Sequence, residues 1–256
     1  MALPRINYLS NKELLSEIEK SKASYSVFLD EDSRYYDVII EWSNSYDSTQ
    51  TIEDLRDAML SPEIIQEAIV NRQKKLKTTE DIPITDLVFR VMTFSHVPKN
   101  LTKIKKNGNV AKVRTLNFPP FIHFKLDDEN NPCVVGKSHW TNGLHNGEFS
   151  MNHGQLSNTL AVQIIKLVER FATKGNWRGY SYIQDMSGDA INHMCENSLK
   201  FHEMKGSNAF AYMTQLVKNS FRMSLKNEKK VSDVKDKIMV EKGYDQRFAA
   251  QDFGED

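Results

Sequence analysis

The distribution of proline divides the chain into two unlike parts. All seven prolines lie at or before Pro132. Proline removes a backbone N–H donor and clashes with the preceding helical turn, so the part of the chain that contains it is broken into shorter elements. The segment after Pro132 can form long uninterrupted helices. The sequence therefore predicts a helical C-terminal part that follows an N-terminal part of mixed structure.

Three helical repeats follow Leu156, with polar or glycine-containing joints near 174–181 and 204–207. Apolar residues recur at intervals of three and four within each repeat, which is the pattern of a helix with one buried face. The predicted core faces are Leu160, Ile164, Leu167, Val168 and Phe171; Ile183, Met186, Ala190, Met194 and Phe201; and Phe210, Met213, Val217, Phe221 and Leu225. Three such faces indicate a compact three-helix unit.

The N-terminal part combines helical and strand signals. Residues 11–20 predict a short helix, and 51–77 predict another that is interrupted at Ser61 and Pro62. Segments 86–97 and 110–126 are rich in β-branched and aromatic residues, with an Asn-Gly turn signal at 107–108 between them. We expect a mainly α protein with four parts: a helical segment at 1–23, a mixed α+β extension at 24–154, a helical domain at 155–230 and a tail at 231–256.

Composition favours a globular protein. Charged residues make up 27% of the 256 residues and hydrophobic residues 39%, with a mean hydropathy of -0.54. No apolar run is long enough to cross a bilayer, and the first residues lack the apolar stretch of a secretory signal. We expect a cytoplasmic protein in which Cys133 and Cys195 are free thiols.

The formal net charge of zero hides a local segregation of charge. Residues 199–230 contain seven basic side chains and only two acidic ones, Glu203 and Glu228. A nucleic-acid partner, which an overall charge of zero argues against, is therefore compatible with this segment.

The second predicted helix carries an acidic ridge, which we define as Asp185, Asp189, Asn192 and Glu196. At 100° per residue these side chains fall in a narrow arc, turned about a right angle or more from the apolar face. Such a ridge is either an ordinary solvated helix face or a docking surface for a basic partner.

The third predicted helix carries a basic stripe, which we define as Gln215, Lys218, Asn219, Arg222, Lys226 and Lys230. Cations can neutralise phosphates, and amides can reach base edges. Tyr212 lies at the edge of the same arc, and a tyrosine ring can stack on an unpaired base. Four cations spaced four residues apart are less common on a merely solvated helix, where acidic and basic residues alternate. The stripe is therefore either a DNA-contacting surface or an ordinary solvated helix face.

The stretch from Tyr182 to Lys230, together with the phrases Asn7-Tyr8-Leu9-Ser10-Asn11-Lys12 and Asn208-Ala209-Phe210-Ala211-Tyr212, resembles a known family. It is similar to the second conserved region of sigma-70 factors, and most of all to the late-transcription sigma factors of T-even-like phages, marine and cyanophage members included. The resemblance implies a helical sigma region at 155–230 and a non-enzymatic initiation factor that acts in an infected bacterial host and needs no cofactor.

The resemblance also implies binding partners. It places the acidic ridge on the helix that docks onto the clamp of bacterial RNA polymerase core. It places Tyr212, Gln215, Lys218, Asn219, Arg222 and Lys226 on the helix that contacts an A/T-rich promoter element. Family members of this kind use a coactivator and a sliding clamp, to which Phe248 and Phe253 in the acidic tail would attach; a frayed terminus is the alternative.

Two features depart from the resemblance. Gln215 and Leu216 stand where housekeeping members carry a tandem tryptophan, so strand opening is expected to be weaker or differently achieved. No helix-turn-helix follows residue 230, which suits factors that read a single short element.

A metal site or a catalytic site in the middle region has weaker support from the sequence. His123, Cys133, His139, His145 and His153 lack the ligand spacing of a zinc site, and the segment 139–147 only superficially resembles a histidine nuclease motif. A metal-dependent nuclease and a polymerase accessory protein without promoter recognition remain the alternative functions. A lysine-rich segment around the 107–108 turn predicts either a contacting hairpin or a solvated one; its cations are Lys99, Lys103, Lys105, Lys106, Lys112 and Arg114.

Overall fold

A computed structural model describes residues 8–42, 51–99, 116–177 and 179–242, together with the backbone of two short strands at 103–104 and 110–112. The described chain is mainly helical and also contains a five-stranded mixed sheet. The helices are α1 Asn11–Ser24, α2 Ile52–Met59, α3 Pro62–Leu76, α4 Asn158–Ala172, α5 Ile183–Asn197 and α6 Ala209–Glu241. This agrees with the predicted combination of a mainly α chain and a mixed α+β segment.

The helices begin where the sequence supplies capping groups. Ser10 and Glu13 form a reciprocal capping box at α1, and Thr51 and Asp54 form one at α2. Pro62 occupies the first turn of α3, where its missing N–H costs nothing, and therefore separates α2 from α3 as predicted. Each cap provides a partner for backbone N–H groups that the helix itself leaves unpaired.

The strands are β1 Ser26–Phe28, β2 Val38–Glu41, β3 Phe89–Met92, β4 Lys103–Ile104, β5 Val110–Lys112, β6 Phe121–Leu126, β7 Pro132–Ser138, β8 Trp140–Thr141 and β9 Glu148–Phe149. The main sheet has the order β1-β7-β6-β3-β2, and the β2–β3 pair is parallel while the others are antiparallel. The parallel pair is possible because α2 and α3 lie in the connection between its strands. Strands β4 and β5 pair antiparallel on either side of the predicted 107–108 turn, which lies outside the described residues.

The two faces of the sheet bury different cores, because successive side chains along a strand point to opposite faces. On one face Val38, Phe89 and Val91 pack with residues of α2 and α3. On the other face Met92 and Phe121 join the larger core formed by α1, α4, α5 and α6. The sheet is therefore the middle layer between two helical layers.

The three C-terminal helices bury nearly all of the faces that the sequence predicts. Every predicted core residue of α4 is buried, and so are Met213, Val217 and Phe221 in α6. Ile183 and Leu225 are half-buried, and Phe210 is 37% exposed, with its ring steeply inclined to that of Tyr8. Phe210 lies in the first turn of α6, at the end of the helical layer, so fewer neighbours cover it.

Two of the predicted domain boundaries do not coincide with a break in the fold. Helix α1 contributes Leu14 and Ile18 to the same core as α4, α5 and α6. The boundary at residue 230 lies inside α6, which continues to Glu241. Among the described residues, no helix is both long and apolar enough to span a bilayer.

Candidate binding surfaces on the C-terminal helices

Helices α5 and α6 pack side by side and antiparallel, and hydrogen bonds join them at the middle and at the C-terminal end of α5. The Ser224 hydroxyl donates to the Asp189 carboxylate at 2.9 Å, and the Tyr212 hydroxyl donates to the carbonyl of Asn197 at 2.9 Å. Met186, Ala190 and Met194 of α5 are buried in the shared core. The two helices thus hold their outward faces in a fixed relation.

The acidic ridge lies on the solvent side of α5. All four of its members are exposed. Within the described residues, none of its three carboxylates comes within 4.0 Å of a cationic nitrogen. The ridge therefore presents negative charge that the described part of the chain does not neutralise, and within that part Asp189 is the one member fixed by a hydrogen bond from a neighbouring helix.

The basic stripe lies on α6, on the side opposite Ser220 and Ser224, which face α5 and are buried. Arg222, Lys226 and Lys230 are exposed and Lys218 is half-buried. None of these four cations makes an ion pair of 4.0 Å or less with any other described residue. The amide of Gln215 donates to Asn219 at 2.7 Å, so these two side chains lie together beside the cations.

The structure separates Tyr212 from the rest of the predicted DNA-binding residues. Its ring is half-buried, with its centroid 5.4 Å from that of Phe201, and its hydroxyl is bonded to Asn197. Burial also raises the pKa of Tyr212. The side chain of Tyr212 is already held by its contacts with Asn197 and Phe201, so its ring could stack on a base only after these contacts were broken. Helical periodicity alone did not reveal this, because the partner residue belongs to another element.

Two other predicted sites fall partly or wholly outside the described residues. Phe248 and Phe253 lie beyond residue 242, where the description ends. In the lysine-rich segment, the backbones of Lys103 and Lys112 pair across β4 and β5. The side chains at 100–115, and with them the predicted contacting surface of this hairpin, lie outside the described residues.

Of the middle-region histidines, His123 and His139 are buried in the fold and His145 and His153 are exposed. The described residues contain no group of three potential metal ligands. His123 accepts a hydrogen bond from the Arg90 Nε at 2.9 Å and contacts the Ser33 carbonyl through Nδ1 at 2.7 Å, and burial with the adjacent Arg90 charge lowers its pKa to about 3. His139 stacks on Phe118 with ring centroids 4.1 Å apart. These two rings are core residues with neutral imidazoles.

A buried charged cluster joins the layers, and the sequence analysis missed it. The Arg90 guanidinium of β3 binds both carboxylate oxygens of Glu19 in α1, at 3.0 and 2.8 Å, and stacks over the rings of Tyr36 and Phe121. Lys22 of α1 pairs with Glu203, which precedes α6. An arginine inside the apolar strand pattern Phe-Arg-Val-Met was the available signal, since a buried cation requires a partner.

Comparisons with known proteins add no relative to this picture. The chain matches no protein-family model, no curated protein and no solved structure. Function is therefore inferred from the residues of this chain and from how the fold presents them.

Proposed function

We propose that the protein is a sigma-type initiation factor that binds bacterial RNA polymerase core and directs it to a short A/T-rich promoter element. One observation carries the proposal. Two neighbouring helices of one packed layer present surfaces of opposite charge to solvent, and neither surface is neutralised from within the described chain. Such an arrangement suits a protein that joins a basic protein surface to an anionic polymer.

The acidic ridge supplies the protein contact in this proposal. Charged groups at the rim of an interface mainly accelerate association and fix orientation, and their effect weakens as salt screens them. The ridge residues project from a helix whose opposite side is buried, so their positions are set by the core. A basic helical surface on polymerase core is the partner that this arrangement fits.

The basic stripe supplies the DNA contact. Lys218, Arg222 and Lys226 can each neutralise a phosphate, which gives affinity without sequence preference. Gln215 and Asn219 are the members that can form directional hydrogen bonds to base edges. Leu216 packs against the core, so no aromatic pair is available in this turn to separate the strands, and opening would depend on easily unstacked A/T steps.

The first experiment mixes the purified protein with core polymerase from an enterobacterium and from a cyanobacterium. A stable complex is expected, together with displacement of the housekeeping sigma factor from at least one core. If no core binds, the proposal is wrong. If the complex forms but shows no promoter preference on any A/T-rich template, the protein is an accessory factor.

Paired substitutions then separate the two surfaces. Asp185→Lys with Asp189→Lys should weaken core binding at least tenfold, because like charges would face each other across the interface. The matched control is Glu63→Lys with Glu67→Lys, two exposed acids at the same spacing on α3. Loss of the Ser224 hydrogen bond costs about 1 kcal/mol of stability, which denaturant unfolding would measure separately.

Lys218→Ala with Arg222→Ala should spare core binding and weaken DNA engagement by the assembled complex. The slope of log K against log salt concentration should become less steep by about two, because two phosphate contacts are lost. Lys166→Ala with Arg170→Ala is the matched control, since these cations have the same spacing and similar exposure on α4. An unchanged slope in the first variant would remove the basic stripe from the DNA interface.

A further inference from the structure

The C-terminal half of α6 leaves the body of the protein. The helix has 33 residues and is therefore about 50 Å long. Its last buried residue is Ser224, and every described residue from Lys226 to Glu241 is exposed or half-exposed. This segment therefore lacks the tertiary packing that normally supports a helix. An isolated helix of about sixteen residues is only marginally stable in water.

The projecting half carries an apolar stripe, which we define as Val231, Val234 and Ile238. Their side chains are 46%, 55% and 45% exposed. The spacing of three and four residues continues the register of the buried residues Val217, Ser220 and Ser224. The stripe is thus an extension of the packed side of α6, with nothing in the described chain to cover it.

The charges beside the stripe are sorted by sign. On a helical projection Lys230 and Lys237 lie along one flank and Lys235 along the other, at the positions next to a coiled-coil seam. Asp233 and Asp236 fall on the opposite side of the helix. Two acids border the stripe, Glu228 on a flank at the start of the segment and Glu241 at the seam position after Ile238. A partner that covers the stripe would therefore meet mainly positive charge.

These lysines oppose the pairing of α6 with a second copy of itself. In a parallel pair, Lys230 would face Lys235 and Lys237 would face Lys242 of the other copy, since residues five apart meet across such an interface. In an antiparallel pair Lys230 would face Lys237. Like charges at these positions destabilise a coiled coil, so the complementary occupant is a helix with acidic flanks.

We propose that the projecting half of α6 is a docking site for an acidic amphipathic helix of a partner protein, which would pack against the apolar stripe as a two-stranded coiled coil. A nucleic acid would fit this surface less well than a helix, because a phosphate backbone would leave the side chains of the apolar stripe in contact with water. This inference concerns the side of α6 turned away from Lys218, Arg222 and Lys226, and it does not depend on the proposed function.

The test uses the full chain and two labelled synthetic peptides of three heptads. Both carry isoleucine and leucine at the seam; one has glutamate and the other lysine at all flanking positions. Fluorescence anisotropy should show saturable binding of the glutamate peptide, with at least tenfold weaker binding of the lysine peptide. Lys235→Glu with Lys237→Glu should weaken binding of the glutamate peptide roughly fivefold to tenfold, because attraction is replaced by repulsion at two flanking positions.

Val234→Asp should abolish binding of the glutamate peptide. Val240→Asp is the matched control, because Val240 is 48% exposed on the other side of the same segment. Neither residue belongs to the core, so both variants should unfold at the same denaturant concentration as the parent chain. Failure to bind the glutamate peptide, equal binding of both peptides, or equal loss in both variants would overturn the proposal. So would a dimer of the parent chain that Val234→Asp dissociates.

Discussion

His96, His123 and His139 occupy positions where the fold holds the imidazole neutral. Burial lowers the pKa of His96 to about 4, and burial with neighbouring charge lowers the pKa values of His123 and His139 to about 3. The unfolded chain would protonate each of them near pH 6.5. Because the unfolded state then binds more protons, stability is retained above pH 6.5 and is lost as the pH falls from 6.5 towards 4.

His139→Asn should reduce this pH dependence. Asparagine tolerates the backbone φ of 52° at this position and does not titrate. A histidine with such a depressed pKa contributes about 2 kcal/mol of destabilisation between pH 7 and pH 5, at about 1.4 kcal/mol per pH unit. Denaturant unfolding at pH 7 and pH 5 should therefore show a smaller loss in the variant by about that amount. His145→Asn changes an exposed ring and should lose as much stability between pH 7 and pH 5 as the parent chain does. The same loss in His139→Asn would contradict the claim that the fold holds His139 neutral.

At the scale of single residues, the sequence identified which side chains are charged but not which are free. The cations of the basic stripe are unpaired among the described residues, whereas Arg90 and Lys22 are committed to buried carboxylates. Tyr212 belonged to the predicted DNA-binding set, yet its hydroxyl is bonded to Asn197. Pairing of this kind joins elements far apart in the chain, so local spacing carries no signal of it.

At the scale of elements, the helices were the most predictable part of the protein. The interval of three to four residues between apolar positions predicted the buried faces of α4, α5 and α6, and capping residues mark where α1, α2 and α4 begin. The end of α6 was not predicted. The helix continues past residue 230 because neither a glycine nor a proline occurs before Gly243 to stop it.

Helix α6 should exchange its amide hydrogens at two very different rates. Residues 213–224 pack against α5 and lie in the core, so their amides should be strongly protected. Residues 228–241 are all exposed or half-exposed and should exchange at nearly the rate of an isolated helix. Hydrogen exchange measured by mass spectrometry would resolve the two segments in one protein. Uniform protection along the whole helix, in the absence of any partner, would contradict the projecting geometry.

At the scale of the whole molecule, one buried arginine joins the sheet to α1, which packs in the same core as the C-terminal helices. Arg90 is 2% exposed, binds Glu19 of α1 through both carboxylate oxygens and donates to His123 of the neighbouring strand. Although burial opposes ionisation, Arg90 and Lys22 hold the pKa of Glu19 far below its usual range. Removing the cation would leave a carboxylate and an imidazole without their donor.

Arg90→Met should therefore destabilise the folded protein by about 3 kcal/mol or more, measured as the free energy of unfolding in urea. Arg56→Met removes a half-exposed cation whose one ion pair among the described residues is with the adjacent Asp57, and it should change stability by about 0.5 kcal/mol or less. Adding Glu19→Gln to Arg90→Met should cost less than the sum of the two single changes, because the two side chains interact directly. Additive costs would show that the pair contributes no coupling energy.

The sequence by itself determined the helical character of the C-terminal part, the buried faces of its helices and the two surfaces of opposite charge, because these follow from intervals along one element. Only the tertiary structure decided that the sheet lies between two helical layers, that Arg90 and Glu19 meet, that Tyr212 is held in place and that α6 projects beyond its neighbours. Those features depend on contacts between residues that are distant in the chain. They arise when the helices and strands pack together to bury the apolar faces that each element leaves exposed by itself.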